Sequence, residues 1–148
     1  QYGRRWDSAA RKGLWLSVLL RPRLSVADSS RLTDLLAATI AATVADFAGV
    51  VPSIKPPNDV YLEGRKIGGV LVEMRVEPSG SYCAIAGMGV NVNQAIDDFP
   101  DELRETAGSI AMSVRRPIDR QAFAVALLRQ LDRRYREFSE SSAARAAS

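Results

Sequence analysis

At 148 residues, with 47% hydrophobic and 25% charged positions, the chain has the size and composition of one soluble globular domain. Its single cysteine, Cys83, and its lack of histidine exclude an internal disulfide, His-dependent triads and the usual zinc sites, so we predict no protein-built metal site. The net charge of +3 is mildly basic, no apolar run reaches the length needed to cross a bilayer, and a reducing, cytoplasmic location is expected.

The first third of the chain predicts a strand, a long helix and a second strand. Gly13–Leu20 is short and apolar, which favours a buried strand. Helix caps at Asp28–Ser30 precede apolar residues at helical spacing as far as about Phe47. Val50–Lys55 is then predicted as a strand that two prolines end.

The middle of the chain predicts a hairpin followed by another strand. Val60–Leu62 and Arg65–Met74 are joined at Glu63-Gly64, which fits a two-residue turn. Tyr82–Asn93 is the next strand.

The last third predicts a loop with a short helix over Asp97–Ala107 and a final helix, capped by Asp119, as far as about Phe138. The element order indicates an α+β fold with a mixed, largely antiparallel sheet packed with helices. We expect one domain over residues 1–138 and a flexible tail over residues 139–148.

The predicted hairpin brings an acid and an amine together. If Glu63-Gly64 is the turn, Tyr61 lies opposite Lys66 and Asp59 lies opposite Gly68. Asp59 and Lys66 then share a face as diagonal neighbours, with open space at Gly68. The alternative is an ordinary surface ion pair, which contributes little.

A second polar face is predicted at the end of the Tyr82–Asn93 strand. Alternation places Gly87, Gly89, Asn91 and Asn93 on one side, where a flat ligand could approach the backbone and meet amide groups. The alternative is an exposed strand end with turn-forming asparagines. The glycine spacing fits neither a dinucleotide-binding fingerprint nor a Walker A loop.

Together these segments resemble the signature of biotin–protein ligases. The resemblance rests on "KPPNDVYLEGRKIGGVLVEM", "GMGVNVN", the upstream "GRRWDSAARKGLWLSVLLRP" and the downstream "FPDEL", in the family's order. It implies that the chain activates biotin with ATP to biotinyl-AMP and transfers biotin to a lysine of a carrier protein.

The resemblance also implies roles for individual residues. The positions that match catalytic residues are Lys66, Asp59 and Arg4. The positions that match the biotin pocket are Lys66, Gly69, Leu71, Gly87 and Gly89. The positions that match the ATP or adenylate site are Arg4, Trp6, Lys55, Asn58, Asp59 and Asn91. ATP, Mg²⁺ and biotin would be substrates, with no tightly bound prosthetic group.

The chain also departs from the family pattern. Pro56 stands where the family usually has tryptophan, and only "GRRW" matches the glycine- and arginine-rich loop. The N-terminal part, the small C-terminal domain and any DNA-binding module are absent from this sequence. We therefore expect a ligase core that is weak or inactive alone, that binds a carrier domain but no membrane, and whose dimerisation through a strand edge is left open.

Two alternatives stay open from the sequence. A lipoate–protein ligase shares this fold and chemistry, and a ligand panel separates it from a biotin enzyme. A non-catalytic nucleotide- or RNA-binding module would use exposed aromatic residues on the sheet, for which Tyr61 and Tyr82 are the candidates.

Overall fold

The computed structural model describes residues 9–22, 24 and 29–146. The elements in chain order are β1 (Gly13–Leu20), α1 (Ser29–Ala48), β2 (Ser53–Lys55), β3 (Asp59–Leu62), β4 (Arg65–Val76), β5 (Tyr82–Asn91), α2 (Ile110–Val114) and α3 (Arg120–Ala146). Two short 3-10 helices, Ile96–Asp98 and Asp101–Leu103, connect β5 to α2. No helix in the described ranges is long and apolar enough to cross a membrane.

The five strands form one sheet in the order β1-β5-β4-β3-β2, and every pair of neighbouring strands is antiparallel. Helix α1 packs on β2, β3 and β4, whereas α3 packs on α1 and β1. The expected α+β class and antiparallel pairing are confirmed. An isolated parallel bridge joins Lys66 to Ala107 beyond the end of β5.

The core lies between α1, α3 and one face of the sheet, here called the inner face. Helix α1 supplies Leu32, Leu36, Ile40 and Val44 at intervals of four residues, all fully buried. The hydroxyl of the buried Thr43 donates to the Thr39 carbonyl oxygen at 2.8 Å, so this polar group is satisfied inside the helix.

Gly49 ends α1 as expected. Its φ is +73° and its N–H donates to the Ala45 carbonyl oxygen at 3.0 Å. The start of α3 is also confirmed, because an Asp119 carboxylate oxygen accepts from the Ala122 N–H at 2.9 Å. The predicted cap at Asp28 lies outside the described residues.

The β3–β4 hairpin has the predicted turn but not the whole predicted register. Glu63 and Gly64 both have positive φ, of 48° and 78°, as a two-residue hairpin turn of this type requires. Tyr61 lies opposite Lys66, but a β-bulge follows, so that Asp59 lies opposite Gly69. The predicted pairing of Asp59 with Gly68 is therefore wrong.

The bulge also changes where Gly68 points. A Cβ on Gly68 would lie 3.7 Å from Ile40 Cγ2 and only 2.9 Å from the Gly89 carbonyl oxygen. Gly68 thus faces the core beneath α1, and the expected open space beside Lys66 does not lie at this glycine. Gly69 takes that place on the opposite side of the sheet, here called the outer face.

Several element boundaries differ from expectation, most clearly those of β2, β5 and α3. Strand β2 begins only at Ser53, directly after Pro52. Strand β5 ends at Asn91 rather than Asn93. Helix α3 continues to Ala146, eight residues beyond the expected end at 138, while the flexibility of residues 139–148 stays a prediction.

We expect Gly68→Ala to lower the free energy of unfolding by about 1–3 kcal/mol, since its methyl group would collide with backbone rather than with a flexible side chain. Urea unfolding measures the effect. Gly87→Ala is the matched control, because the nearest atom to its added Cβ would be 3.7 Å away. Equal stability of the two variants would contradict the assignment of Gly68 to the inner face.

Candidate functional site

Three glycines on the outer face lie side by side across the middle of the sheet. Gly89 lies opposite Gly69 in the β4–β5 pair, and Gly87 lies opposite Leu71. We call Gly69, Gly87 and Gly89 the glycine patch. A glycine has no side chain to hold a flat ligand away from the backbone. Gly87 is partly exposed, whereas Gly69 and Gly89 are buried in this structure.

Strand register also fixes what borders the glycine patch. On β1, Trp15 lies opposite Gly89 and Ser17 lies opposite Gly87. On β3, Asp59 lies opposite Gly69. The patch therefore has an aromatic residue on one side and the predicted acid on the other, about 14 Å apart across three strand spacings.

The predicted acid and amine form an ion pair at the border of the patch. Lys66 Nζ lies 2.6 Å from Asp59 Oδ1, and the two side chains are 34% and 26% exposed. Despite the bulge, both residues remain on the outer face, as predicted. The pair is ordered by its contact but still open to a ligand, which a buried pair would not be.

A second ammonium group lies near this pair. Lys55 is directly opposite Asp59 in the β2–β3 ladder, and its Nζ lies 4.2 Å from the centroid of the Tyr61 ring. The ring face attracts the cation and orients it on the outer face. Two positive side chains thus flank one carboxylate, which suits the binding of an anionic ligand.

The backbone of Lys66 is held from the side opposite β3. Its N–H donates to the Thr106 carbonyl oxygen at 2.8 Å, and its carbonyl oxygen accepts from the Gly108 N–H at 2.9 Å. The neighbouring Arg65 guanidinium donates to the Ala107 carbonyl oxygen at 3.2 Å. Residues 106–108 therefore take the sheet position next to β4 that β5 leaves after Asn91.

The side chains of two predicted asparagines, Asn58 and Asn91, donate hydrogen bonds to backbone carbonyl oxygens. The Asn58 side-chain nitrogen donates to the Val70 carbonyl oxygen at 2.8 Å. The buried Asn91 donates from Nδ2 to the Gly108 carbonyl oxygen at 3.0 Å. These contacts give both residues a structural role near the patch, and their ligand roles stay predictions.

The predicted strand does not reach Asn93, and the Asn93 amide bonds to another segment. Its Nδ2 donates to the Ile118 carbonyl oxygen and its Oδ1 accepts from the Ile118 N–H, each at 2.8 Å. Both ends of the amide are thus used by the segment before α3. Because β5 has already ended at Asn91, simple strand alternation no longer applies at this position.

Sequence reasoning missed Trp15, which borders the glycine patch. Its side chain is 37% exposed on the outer face, and the indole lies over Gly13, where an added Cβ would be 2.2 Å from Cη2. In "GLWLSVLL" nearly every position is apolar, so alternation within the strand did not separate the two faces. Only the register with the glycines of β5 identifies it.

Arg4 and Trp6, predicted for the phosphate and adenylate, lie outside the described residues. The described residues also contain no group of three or more His, Cys, Asp or Glu side chains that could hold a metal ion.

A further ion pair ties the segment before β1 to the segment after β5. Lys12 Nζ lies 2.6 Å from Asp98 Oδ2, and the same oxygen accepts from the Ala95 N–H at 2.7 Å. The Lys12 hydrogen bond, followed by the Ala95 N–H, lowers the pKa of the Asp98 carboxyl. This contact supports the loop that leads from the patch to residues 106–108.

The model of a family described as "Biotin/lipoate A/B protein ligase family" matches residues 1–91, more than half of the sequence. The chain belongs to the biotin/lipoate A/B protein ligase family. The matched range contains the glycine patch, Lys66 and Asp59.

Curated relatives within this family extend over most of the chain. The chain is 37% identical over 133 residues to the bifunctional ligase/repressor BirA of Bacillus spizizenii, covering 90% of this chain and 41% of that protein. It is 33% identical over 144 residues to the biotin–[acetyl-CoA-carboxylase] ligase of Mycobacterium tuberculosis, covering 90% and 48%. The chain thus spans less than half the length of these two ligases.

A solved structure supports the fold. The biotin protein ligase from Aquifex aeolicus in complex with biotin and ATP superposes with a TM-score of 0.82 at 27% identity, covering 95% of this chain and 56% of that one. The five-stranded antiparallel sheet with its helices is therefore a biotin/lipoate ligase fold.

We expect the Lys12–Asp98 pair to contribute about 0.5–1 kcal/mol near neutral pH, the range of partly exposed ion pairs. Because the pKa of Asp98 is lowered in the folded state, this contribution is present above about pH 4, the ordinary pKa of an aspartate, and is lost as pH falls through the lowered value. Urea unfolding of the parent and Asp98→Asn between pH 2.5 and 7 measures it.

The stability difference between parent and Asp98→Asn should be largest from pH 5 to 7 and should shrink in acid. Asp101→Asn is the control, since Asp101 is 86% exposed in its contact with Arg104. A difference for Asp98→Asn that does not change with pH would show that the ionised carboxylate is not responsible.

Proposed function

We propose that this chain is the catalytic core of an ATP-dependent biotin–protein ligase. The observation that carries the proposal is the accessible Lys66–Asp59 pair at the border of the glycine patch, in a member of this ligase family. Biotin is supported as the acid because the Mycobacterium tuberculosis relative is named as a biotin ligase and the Aquifex aeolicus ligase was solved with biotin and ATP.

In the first step of the proposed reaction, a carboxylate oxygen of biotin attacks the α-phosphorus of ATP. A carbonyl–oxygen–phosphorus link forms and pyrophosphate leaves with the electrons of the broken bond. Two anions must come together for this step, and the Lys66 ammonium reduces their repulsion at the developing anhydride. Lys55, held against the Tyr61 ring, supplies a second positive charge nearby.

In the second step, the neutral amine of a lysine on a carrier domain attacks the carbonyl carbon of biotinyl-AMP. An amide bond forms, the bond to the phosphate oxygen breaks, and AMP leaves. The incoming lysine must lose its proton first. We assign Asp59 to hold Lys66 in place and to receive the incoming ammonium group at the border of the patch.

The glycine patch suits the flat ring and chain of the acid. Leu71 and Trp15 give it apolar edges, and Gly87 keeps the backbone accessible between them. By resemblance, Arg4 contacts the phosphate, Trp6 lines the adenylate, and the Asn58–Asp59 pair handles the adenylate, its Mg²⁺ or the incoming lysine. A cytoplasmic location and weak activity of this chain alone remain predictions of the same proposal.

Lipoate is the second candidate acid, because the matched family includes lipoate ligases. A binding panel of biotin, lipoate and ATP decides between them. The non-catalytic alternative stays a further candidate, because Trp15 is partly exposed on the outer face although the Tyr61 ring lies under the Lys55 ammonium. Binding of ATP or RNA without any dependence on biotin would favour it.

We expect Lys66→Ala to abolish the thermal stabilisation produced by a non-hydrolysable biotinyl-adenylate analogue, which the ammonium would contact directly. A ligand at 100 times its dissociation constant should stabilise the parent by about 2.7 kcal/mol. Arg75→Ala is the control, since Arg75 lies on the same strand and face about 30 Å away. Full stabilisation of Lys66→Ala would exclude this lysine from the site.

We expect Gly87→Ala to fold normally and to bind biotin at least about tenfold more weakly, since its methyl group would occupy the patch. Calorimetry with biotin and with lipoate measures both the effect and the preferred acid. Ile85→Ala, on the same face of β5 but outside the patch, should bind as the parent does. Unchanged biotin affinity in Gly87→Ala would place the acid elsewhere.

A further inference from the structure

The amide of Gln94 ends a chain of hydrogen bonds that begins on the backbone. Asn91 Nδ2 donates to the Gly108 carbonyl oxygen at 3.0 Å, and Asn91 Oδ1 accepts from Gln94 Nε2 at 3.1 Å. A backbone carbonyl can only accept, so it fixes the orientation of Asn91 and, in turn, that of Gln94. The remaining atom, Gln94 Oε1, must be an acceptor.

That acceptor is buried and unpaired. Gln94 is 2% exposed, and Oε1 has no hydrogen-bond partner in the part of the chain that the structure describes. The Gln94 backbone is fixed as well, because its carbonyl oxygen accepts from the Ser109 hydroxyl at 2.7 Å. A buried acceptor without a donor is costly, and such groups in folded proteins call for a specific explanation.

The position of the Gln94 side-chain amide indicates where a hydrogen-bond donor to Oε1 would come from. Gln94 Nε2 lies 2.8 Å from the place that a Cβ of Gly13 would occupy, and the Trp15 indole covers the same place. Gly13 is opposite Asn91, on the outer face that carries the glycine patch. The Gln94 amide thus lies on the ligand side of the sheet, packed beside an aromatic ring.

We propose that Gln94 Oε1 accepts a hydrogen bond from a ring-associated N–H group of a bound substrate. The inference rests on the proposed function, in which both the 6-amino group of adenine and the ureido ring of biotin carry such donors on a flat ring. Trp15 is partly exposed and lies outside the core, so it can turn from Gly13 and admit the ring to Oε1. Gln94 then makes a substrate without this donor bind poorly.

Two substitutions of Gln94 distinguish between two roles of its side chain: accepting a hydrogen bond from a ligand, and holding Asn91 in place. Gln94→Leu removes both the acceptor and the donor to Asn91. Gln94→Glu keeps an acceptor oxygen at the Oε1 position. Its other oxygen can donate to Asn91 Oδ1 only while the buried carboxyl is protonated, so this variant is compared with Gln94→Leu at a pH high enough to ionise it. A ligand role predicts that leucine weakens binding and glutamate preserves it, whereas a support role predicts similar losses in both variants.

The experiment is calorimetric titration of the chain and both variants with ATP, inosine triphosphate and biotin. Inosine triphosphate has a ring carbonyl in place of the 6-amino group of adenine. We expect Gln94→Leu to lose about tenfold or more in affinity for either ATP or biotin, with an unfolding temperature close to that of the parent. If adenine is the donor, the parent's preference for ATP over inosine triphosphate should disappear in Gln94→Leu. If biotin is the donor, only its affinity should fall.

Two results would overturn the inference but leave the proposed function standing. The first is unchanged affinities in Gln94→Leu. The second is an equal loss of affinity for all three ligands in both variants, together with a lowered unfolding temperature. A parent chain that binds neither ATP nor biotin overturns the proposed function itself, and with it the substrate assigned to Gln94.

Discussion

The register of the β3–β4 hairpin is the constraint on which the site depends. Two turn residues with positive φ place Tyr61 opposite Lys66, and the bulge that follows brings Gly69 opposite Asp59. In this register the lysine and the aspartate share the outer face, while Gly68 turns to the core. A slip of one residue would turn Lys66 and Asp59 toward the helices.

The two faces of the sheet carry different kinds of residue. Its inner face carries the apolar residues that pack with α1 and α3, so the hydrophobic free energy of folding comes mainly from that side. The outer face is then free to carry glycines, two lysines and an aspartate, which would stabilise a core poorly. The same strands thus serve both purposes because successive residues point to opposite sides.

The sequence predicted the class of fold, the hairpin turn and the contact between Lys66 and Asp59. These depend on local rules, such as turn chemistry and alternation, which act over a few residues. The bulge and the position of Trp15 could not be predicted, because each depends on pairing between strands. A bulge has no single sequence signal, and a strand as apolar as β1 does not reveal which face is covered.

The support of Lys66 by residues 106–108 has a consequence for how this protein tolerates change. The lysine's backbone shares hydrogen bonds with a segment that follows two short 3-10 helices, forty residues later in the chain. Local opening of that segment would release the lysine without unfolding the sheet. Substitutions in residues 106–108 would therefore shift Lys66 relative to the glycine patch, although they lie in a separate part of the chain.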